Sequence, residues 1–366
     1  MELETFKKQP LGGVDRRSLV GTLAERGAST ATDLLAKQRR RVTSAGTAIA
    51  KDAAVLILGG SNGITRAVAM QLLFGEGAAV FAVHLDSEKM QIGPHHAAAM
   101  TEAATAAGET VRFFNADATK ESTITEVVAA LKDSCRCVHI VNGIAAGATK
   151  RYAQHGPTLV RDLDVAFDAV LQTPDFSKPE TIRKLGMVDV EVATDLDIER
   201  TNKFMGTSSL IWAEPLAAAG LLVRGESVVA FCDYDYPPSD PVYAMGPLAG
   251  AKILQRETMV AIAARFGATT ARLCYPAVAT TALGAIPGGL LMYGLTAQIL
   301  RERNVYADLL DLARGSMRIF EKGYDGSDVR LDAAYQETLP EFFRRRDAMI
   351  PGDVPEAFSA LFGKDA

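Results

Sequence analysis

The sequence predicts an α/β fold, a doubly wound parallel sheet of the Rossmann-like kind, and three observations lead to it. Short apolar runs alternate with helical stretches from residue 53 onward, and the first run ends in a glycine-rich turn that opens a helix. An acid, Asp86, closes the second run 27 residues after Gly59, the separation expected of a ribose-binding carboxylate. The first 50 residues precede this rhythm and read as a polar helical extension, with Thr30 or Thr32 as a cap and Leu34-Leu35 as a small apolar patch. Residues 51–366 then form one enlarged dinucleotide-binding domain.

Within that domain Ala54 to Leu58, Ala79 to Leu85, Val111 to Asn115 and Val138 to Val141 read as strands, with helices over Ile64 to Phe74 and Thr123 to Asp133. Residues 147–200 are polar and proline-bearing with no strong period, so an insertion over the face of the sheet is expected there. Periodicity returns with a helix over Asn202 to Ala219, a strand over Ser227 to Phe231, a helix over Pro247 to Phe266 and a strand over Thr270 to Cys274. Residues 276–322 are expected to form a substrate lid and helices, and a last helix runs from about Asp332 to Arg346.

Composition excludes several functions. With 366 residues, 48% hydrophobic and 23% charged, and a net charge of -5, the chain can bury a large core and has no overall attraction for nucleic acid. Lys37, Arg39, Arg40 and Arg41 read as a solvated helix face. Cys135, Cys137, Cys232 and Cys274 are too few for a disulfide framework and lack metal spacing, which fits a reducing, cytoplasmic setting. Met1-Glu2-Leu3-Glu4 carries no signal-peptide pattern. The 28 uncharged residues from Leu273 to Leu300 exceed a bilayer span, yet Pro276, Gly284, Pro287, Gly288 and Gly289 break them into a loop and a short helix, so no stable membrane insertion is expected. His95, His96 and His155 have no third ligand at metal spacing and are expected in loops.

The chemistry is concentrated at a few positions. Gly59, Gly60, Ser61, Asn62, Gly63 and Ile64 form a turn between strand and helix where backbone N–H groups receive a pyrophosphate. Leu85 and Asp86 lie at the adenosine ribose, Asp117 and Ala118 near the adenine, and Ile144 and Ala145 along the nicotinamide ribose. Asp86 favours NADH, whereas Arg66 and Lys89 make NADPH the alternative. Tyr243 and Lys252 are separated by eight residues. On one helix, nine steps of about 100° would put them on opposite faces. Gly246-Pro247 breaks the chain between them, which leaves Tyr243 in a loop and Lys252 in the second turn of the helix, both facing one ligand.

The turn, with Thr65 in place of a final glycine, resembles that of the short-chain dehydrogenases. Together with the Tyr243 to Lys252 spacing, Asp86, Asp117-Ala118, Trp212 to Gly220, Ala285-Ile286-Pro287 and Val329-Arg330-Leu331-Asp332, it resembles the trans-2-enoyl-CoA reductases and type V enoyl-acyl-carrier-protein reductases. The long spacing is the most specific element, because ordinary short-chain dehydrogenases place three residues between the pair and a serine where this chain has Ala230. The resemblance implies reduction of the 2,3 double bond of an enoyl thioester presented by CoA or a carrier protein. It makes Tyr243 the donor to the thioester oxygen and Lys252 the ribose contact that lowers the tyrosine pKa. Val278, Ala279 and Thr280 would close over the cofactor, with Asp233, Tyr234 and Ile286 on the substrate side. The family's usual N-terminal hairpin is absent, and Asp233 stands where the family has a further tyrosine. A carbonyl reductase or a non-catalytic NAD(H)-binding protein is the alternative, and the expected assembly is a monomer or small homo-oligomer.

Overall fold

The computed structural model describes residues 3–8, 14–350 and 358. Met1, Glu2, residues 9–13, 351–357 and 359–366 lie outside the described residues, together with the parts of the N-terminal extension and of the 51–366 domain that they carry. A two-residue strand, β1 (Thr5–Phe6), precedes the long helix α1 (Arg16–Arg39). Asp15, not Thr30 or Thr32, caps that helix, its carboxylate accepting the Ser18 N–H at 2.9 Å. Leu19, Leu23, Ala31 and Leu35 recur on one buried stripe of α1, which docks on α3 (Gly93–Ala107). The sequence reading missed α3 and put His95 and His96 in a loop. Pro94 occupies the first turn, where its missing N–H costs nothing.

The main sheet follows the expected strands closely. β2 (Ala53–Leu58) leads through α2 (Gly63–Glu76) to β3 (Ala79–His84), and α3 leads to β4 (Val111–Asn115). The chain then returns through α4 (Glu121–Lys132) to β5 (Cys137–Asn142) on the other side of β2. Seven strands result, all parallel, and β2 and β5 are buried at every residue because helices cover both faces. Alternation along β2 sends Val55 and Ile57 into one core with α1, α2 and α3, and Ala54, Leu56 and Leu58 into the other.

Residues 147–200 hold more structure than their composition suggests. β6 (Thr158–Val165) and β7 (Ile182–Val190) form an antiparallel hairpin joined by β1 in a separate three-stranded sheet. α5 (Asp195–Thr201) starts earlier than expected, with a Thr194/Asp197 capping box, and passes through a single π-helical stretch into α6 (Ser208–Ala218). β8 (Val228–Asp233), α7 (Pro247–Phe266) and β9 (Thr269–Cys274) complete the body of the main sheet. The uncharged segment is broken as predicted, into a loop, a short 3₁₀ turn at Thr281–Gly284 and α8 (Gly289–Glu302). α9 (Leu309–Ser316), β10 (Val329–Arg330) and α10 (Ala333–Ala348) follow. Among the described residues no helix is long and apolar enough to cross a membrane.

A buried ion pair ties the small sheet to α8. The Asp162 carboxylate on β6 accepts the Gly288 and Leu291 N–H groups at 2.9 and 3.1 Å, capping α8, and it also receives the Lys8 ammonium. Lys8 donates further to the Ile286 carbonyl, so the hairpin, the N-terminal strand and the helix share one polar knot under an apolar cluster.

Candidate active site

Strand order places the crevice. The sheet runs β10-β9-β8-β5-β2-β3-β4, so the chain reverses direction between β2 and β5, and their carboxyl ends, Leu58 and Asn142, are register partners. Ligands of open parallel sheets bind outside such a switch point. The turn Gly59 to Ile64 leaves β2 there, with Gly59 at φ 88° and Gly63 at φ 59°, both in the left-handed region that favours glycine. A Cβ on Gly63 would stand 3.3 Å from the Thr280 methyl, so the turn and the loop after β9 approach closely enough to enclose a ligand backbone. The N-terminus of α2, its Gly63 N–H capped by the Asn62 side chain at 2.8 Å, opens at this cradle.

Thr65 does two things at the helix start. Its hydroxyl donates to the Gly59 carbonyl at 2.6 Å and closes the turn that a glycine would leave open. Its methyl fills the space beside Gly143, where any Cβ would overlap it. Asn142, just before, donates to Ser208 and Ser209 at 2.8 and 2.9 Å and accepts the Ile144 N–H at 3.1 Å, which fixes the path of Gly143 to Ala145.

Asp86 follows β3 with its carboxylate 2.9 Å from His84 Nδ1. Burial pushes that carboxylate up, but hydrogen bonds from His84 and Ser61 outweigh it and hold the group below its usual range. Gly93 packs beside it, so that a Cβ there would displace the carboxylate. Leu85 projects into solvent at 65% exposure. Arg66 is buried and donates to Gln38 Oε1 at 2.7 Å on α1, and Lys89 is exposed. Asp117 accepts the Thr119 N–H and hydroxyl at 2.8 Å each, and the Ala118 carbonyl accepts the Trp212 indole N–H at 2.9 Å.

Tyr243 and Lys252 come together as the Gly246-Pro247 break requires. Pro247 is the first residue of α7, Lys252 lies in the second turn, and Tyr243 sits in the preceding loop, its N–H held by Asp240 at 2.6 Å. Both line a cavity of about 230 Å³ with Ile144, Ala145, Val278 and Thr280, and its far wall includes Leu283, Ile286, Leu291, Phe342 and Phe343. Ala279 faces a neighbouring cavity of similar volume, between α8 and the end of α1. Asp233 and Tyr234 line the Tyr243 cavity, and the Tyr243 ring packs edge-on against Tyr234 at 5.0 Å and stacks with Tyr236 at 5.7 Å. Tyr335 of α10, not singled out from the sequence, hydrogen-bonds the Tyr234 hydroxyl at 2.6 Å. Its only sequence signal was a buried aromatic at the start of a helix.

Two features depart from the expected electrostatics. Burial, followed by the charge of Asp240, pushes the Tyr243 phenol well above its ordinary value, and no lowering by Lys252 is seen. Lys252 instead gives its ammonium to Asp233, whose side chain is fully buried. Cys232, beside it, is pushed up to about 12 by burial and so stays a neutral thiol. Among the described residues no cluster of three or more histidine, cysteine or acidic side chains could hold a metal ion, and all four cysteines are free.

The parallel sheet, its glycine turn at the switch point and the Tyr243/Lys252 cavity define a dinucleotide-binding α/β protein of the short-chain dehydrogenase type. A family model described as the trans-2-enoyl-CoA reductase catalytic region matches residues 89–320, and the chain belongs to that family. It is similar to an enoyl-[acyl-carrier-protein] reductase [NADH] of Edwardsiella ictaluri, 28% identical over 76% of this chain and 71% of the relative. One from Xanthomonas campestris is 26% identical over 84% and 77%. In fold the chain resembles the trans-2-enoyl-CoA reductase of Treponema denticola, solved with NAD, at a TM-score of 0.71 over 99% of this chain and 93% of that one, with 18% identity.

Proposed function

We propose that this chain uses NADH to reduce the 2,3 double bond of a trans-2-enoyl thioester carried by CoA or an acyl carrier protein. The observation that carries the reading is the single cavity in which Tyr243, Lys252 and the apolar loop and helix of residues 276–291 meet at the switch point of the sheet. The family membership and the relatives named for NADH-dependent enoyl reduction support it.

The cradle fits a dinucleotide: left-handed glycines, a helix N-terminus and a ribose-side carboxylate stand in order along the crevice. NADH, when bound, supplies the hydride. Gly59 to Ile64 would hold its pyrophosphate, Asp86 would accept from the adenosine ribose, and Lys252 would donate to the ribose nearest the reacting carbon. Addition of hydride at the β-carbon would drive electrons onto the thioester oxygen, the Tyr243 hydroxyl would donate a hydrogen bond to that oxygen as its charge grows, and the enolate would then take a proton from solvent at the α-carbon to give the saturated thioester. The raised phenol suits this role, since a tyrosine that keeps its proton through neutral and alkaline pH remains a donor. Leu283, Ile286 and Leu291 exclude water from the acyl chain.

The decisive experiment is steady-state oxidation of NADH by the purified protein with crotonyl-CoA and longer enoyl thioesters, repeated with NADPH. Turnover with NADH preferred is expected, and absence of turnover on every enoyl thioester defeats the reading. Tyr243→Phe is expected to lower kcat by about 10²- to 10³-fold with NADH affinity kept within about twofold, because the lost hydrogen bond forms only as charge develops.

A further inference from the structure

We propose that Asp233 is a positioning residue: its carboxylate, anchored at the end of β8, fixes the Lys252 ammonium in the cofactor crevice. This deepens the reading of the Tyr243/Lys252 site as a reductase centre and rests on it.

The geometry shows a carboxylate engaged on every side. One oxygen of Asp233 accepts the Lys252 ammonium and the Tyr234 N–H, the latter at 2.8 Å. The other accepts Arg272 Nε at 3.1 Å and meets the Arg256 guanidinium at 3.4 Å. With its side chain wholly out of solvent and both oxygens occupied, Asp233 has no lone pair directed at a substrate. Its attachments explain its stiffness. It ends a strand of the central sheet, and Arg272 on the adjacent strand is itself held by Asp235 at 2.6 Å and by Asp328 at 2.9 Å. Arg330 on β10 donates to Asp235 and Asp332, extending the chain of charges outward to the sheet edge.

Lysine needs such an anchor. Its four-carbon stem is flexible and its ammonium donates in any direction, so a buried lysine holds a defined position only when a partner fixes it. Asp233 accepts one of the three ammonium protons and leaves two to point at ribose hydroxyls. The pair thus presents a donor of set position with little net charge, which agrees with a neighbouring phenol that burial and Asp240 keep protonated. The charged and titratable groups facing Asp233 are Lys252 and Arg256 on α7, Arg272 on β9, and the phenols of Tyr236 and Tyr243, with Asp235 beyond. Those facing Tyr243 are Asp240, Tyr335, Asp233, Tyr234 and Tyr236.

A double-mutant cycle tests the proposal. NADH affinity is read by fluorescence titration of wild type, Asp233→Asn, Lys252→Met and the double variant, a readout that needs no turnover. Each single variant is expected to weaken NADH binding about tenfold, and the double variant by the same amount, because Asp233 acts through Lys252. Losses that multiply to about a hundredfold, or an Asp233→Asn protein that binds NADH as wild type does, overturn it. In Asp233→Asn the loss should fall on NADH, with the KM for the enoyl thioester unchanged; a loss shared equally by both substrates counts against the proposal. If Asp233→Asn does not fold, Asp233→Glu keeps the charge and shifts the ammonium by about one methylene. Weaker NADH binding is then expected, and wild-type affinity in that variant overturns the proposal. A wild type that binds NADH but reduces no enoyl thioester defeats the reductase reading alone and leaves the binding cycle interpretable.

Discussion

Two buried lysine–aspartate pairs, Lys8–Asp162 and Lys252–Asp233, do different work. At Asp162 the other partners are backbone N–H groups of α8 and of Leu163, so the carboxylate is a helix cap that also happens to hold a lysine. At Asp233 they are two arginines and the Tyr234 N–H, so the carboxylate keeps its charge balanced while Lys252 gives its remaining protons to a ligand. A buried ion pair is therefore read from what else its acid touches. Bonded otherwise only to backbone, it fixes architecture; backed by other cations, it holds a lysine whose remaining protons serve a site.

The largest expected effect tests the first half of this contrast. Asp162→Ala strands the Lys8 ammonium and uncaps α8, and it should cost about 3–5 kcal/mol in denaturant unfolding. A loss under about 1 kcal/mol would place this pair with the other. Next, Lys252→Met should lower kcat/KM by about 10²-fold while costing no more than about 1 kcal/mol of stability, since Arg272 and Arg256 still neutralise Asp233. Equal stability losses from Lys252→Met and Asp162→Ala would erase the distinction.

A pH series gives a smaller, signed effect. Burial pushes Asp233 up, but Lys252 and Arg272 outweigh it and hold the carboxylate below its ordinary 3.8. The stability it contributes is thus fully present above that unfolded value and is lost as pH falls through the folded one. The gap in unfolding free energy between wild type and Asp233→Asn should shrink as pH drops below about 4. Lys8 behaves differently: burial lowers its ammonium pKa despite Asp162, so from this group stability rises with pH between the folded value and 10.5.

The parallel sheet was legible because its strands are buried on both faces and leave apolar runs, and the Tyr243/Lys252 geometry was legible because Gly246-Pro247 can only be a break. The hairpin β6–β7 was not. Asp162 points inward where alternation demands an apolar residue, and Arg161 and Asp164 on its flanks completed the impression of a polar loop. α3 was hidden by Gly93-Pro94 and by an alanine-rich stretch with little amphipathic contrast. The ion pair of Asp233 could not be read locally at all, since Arg272 and Lys252 reach it from 39 and 19 residues away.

The contact of the Thr65 methyl with Gly143 has a consequence for how this crevice can change over generations. The two positions are permissive for each other in one order only. Any side chain at 143 meets that methyl, so Gly143→Ala is expected to cost about 1–3 kcal/mol while Thr65 stands. Thr65→Ser, which keeps the hydroxyl on the Gly59 carbonyl and removes the methyl, should recover most of that loss. A lineage replacing both must pass through the smaller residue at 65 first, and the reverse path is closed by sterics rather than by chemistry.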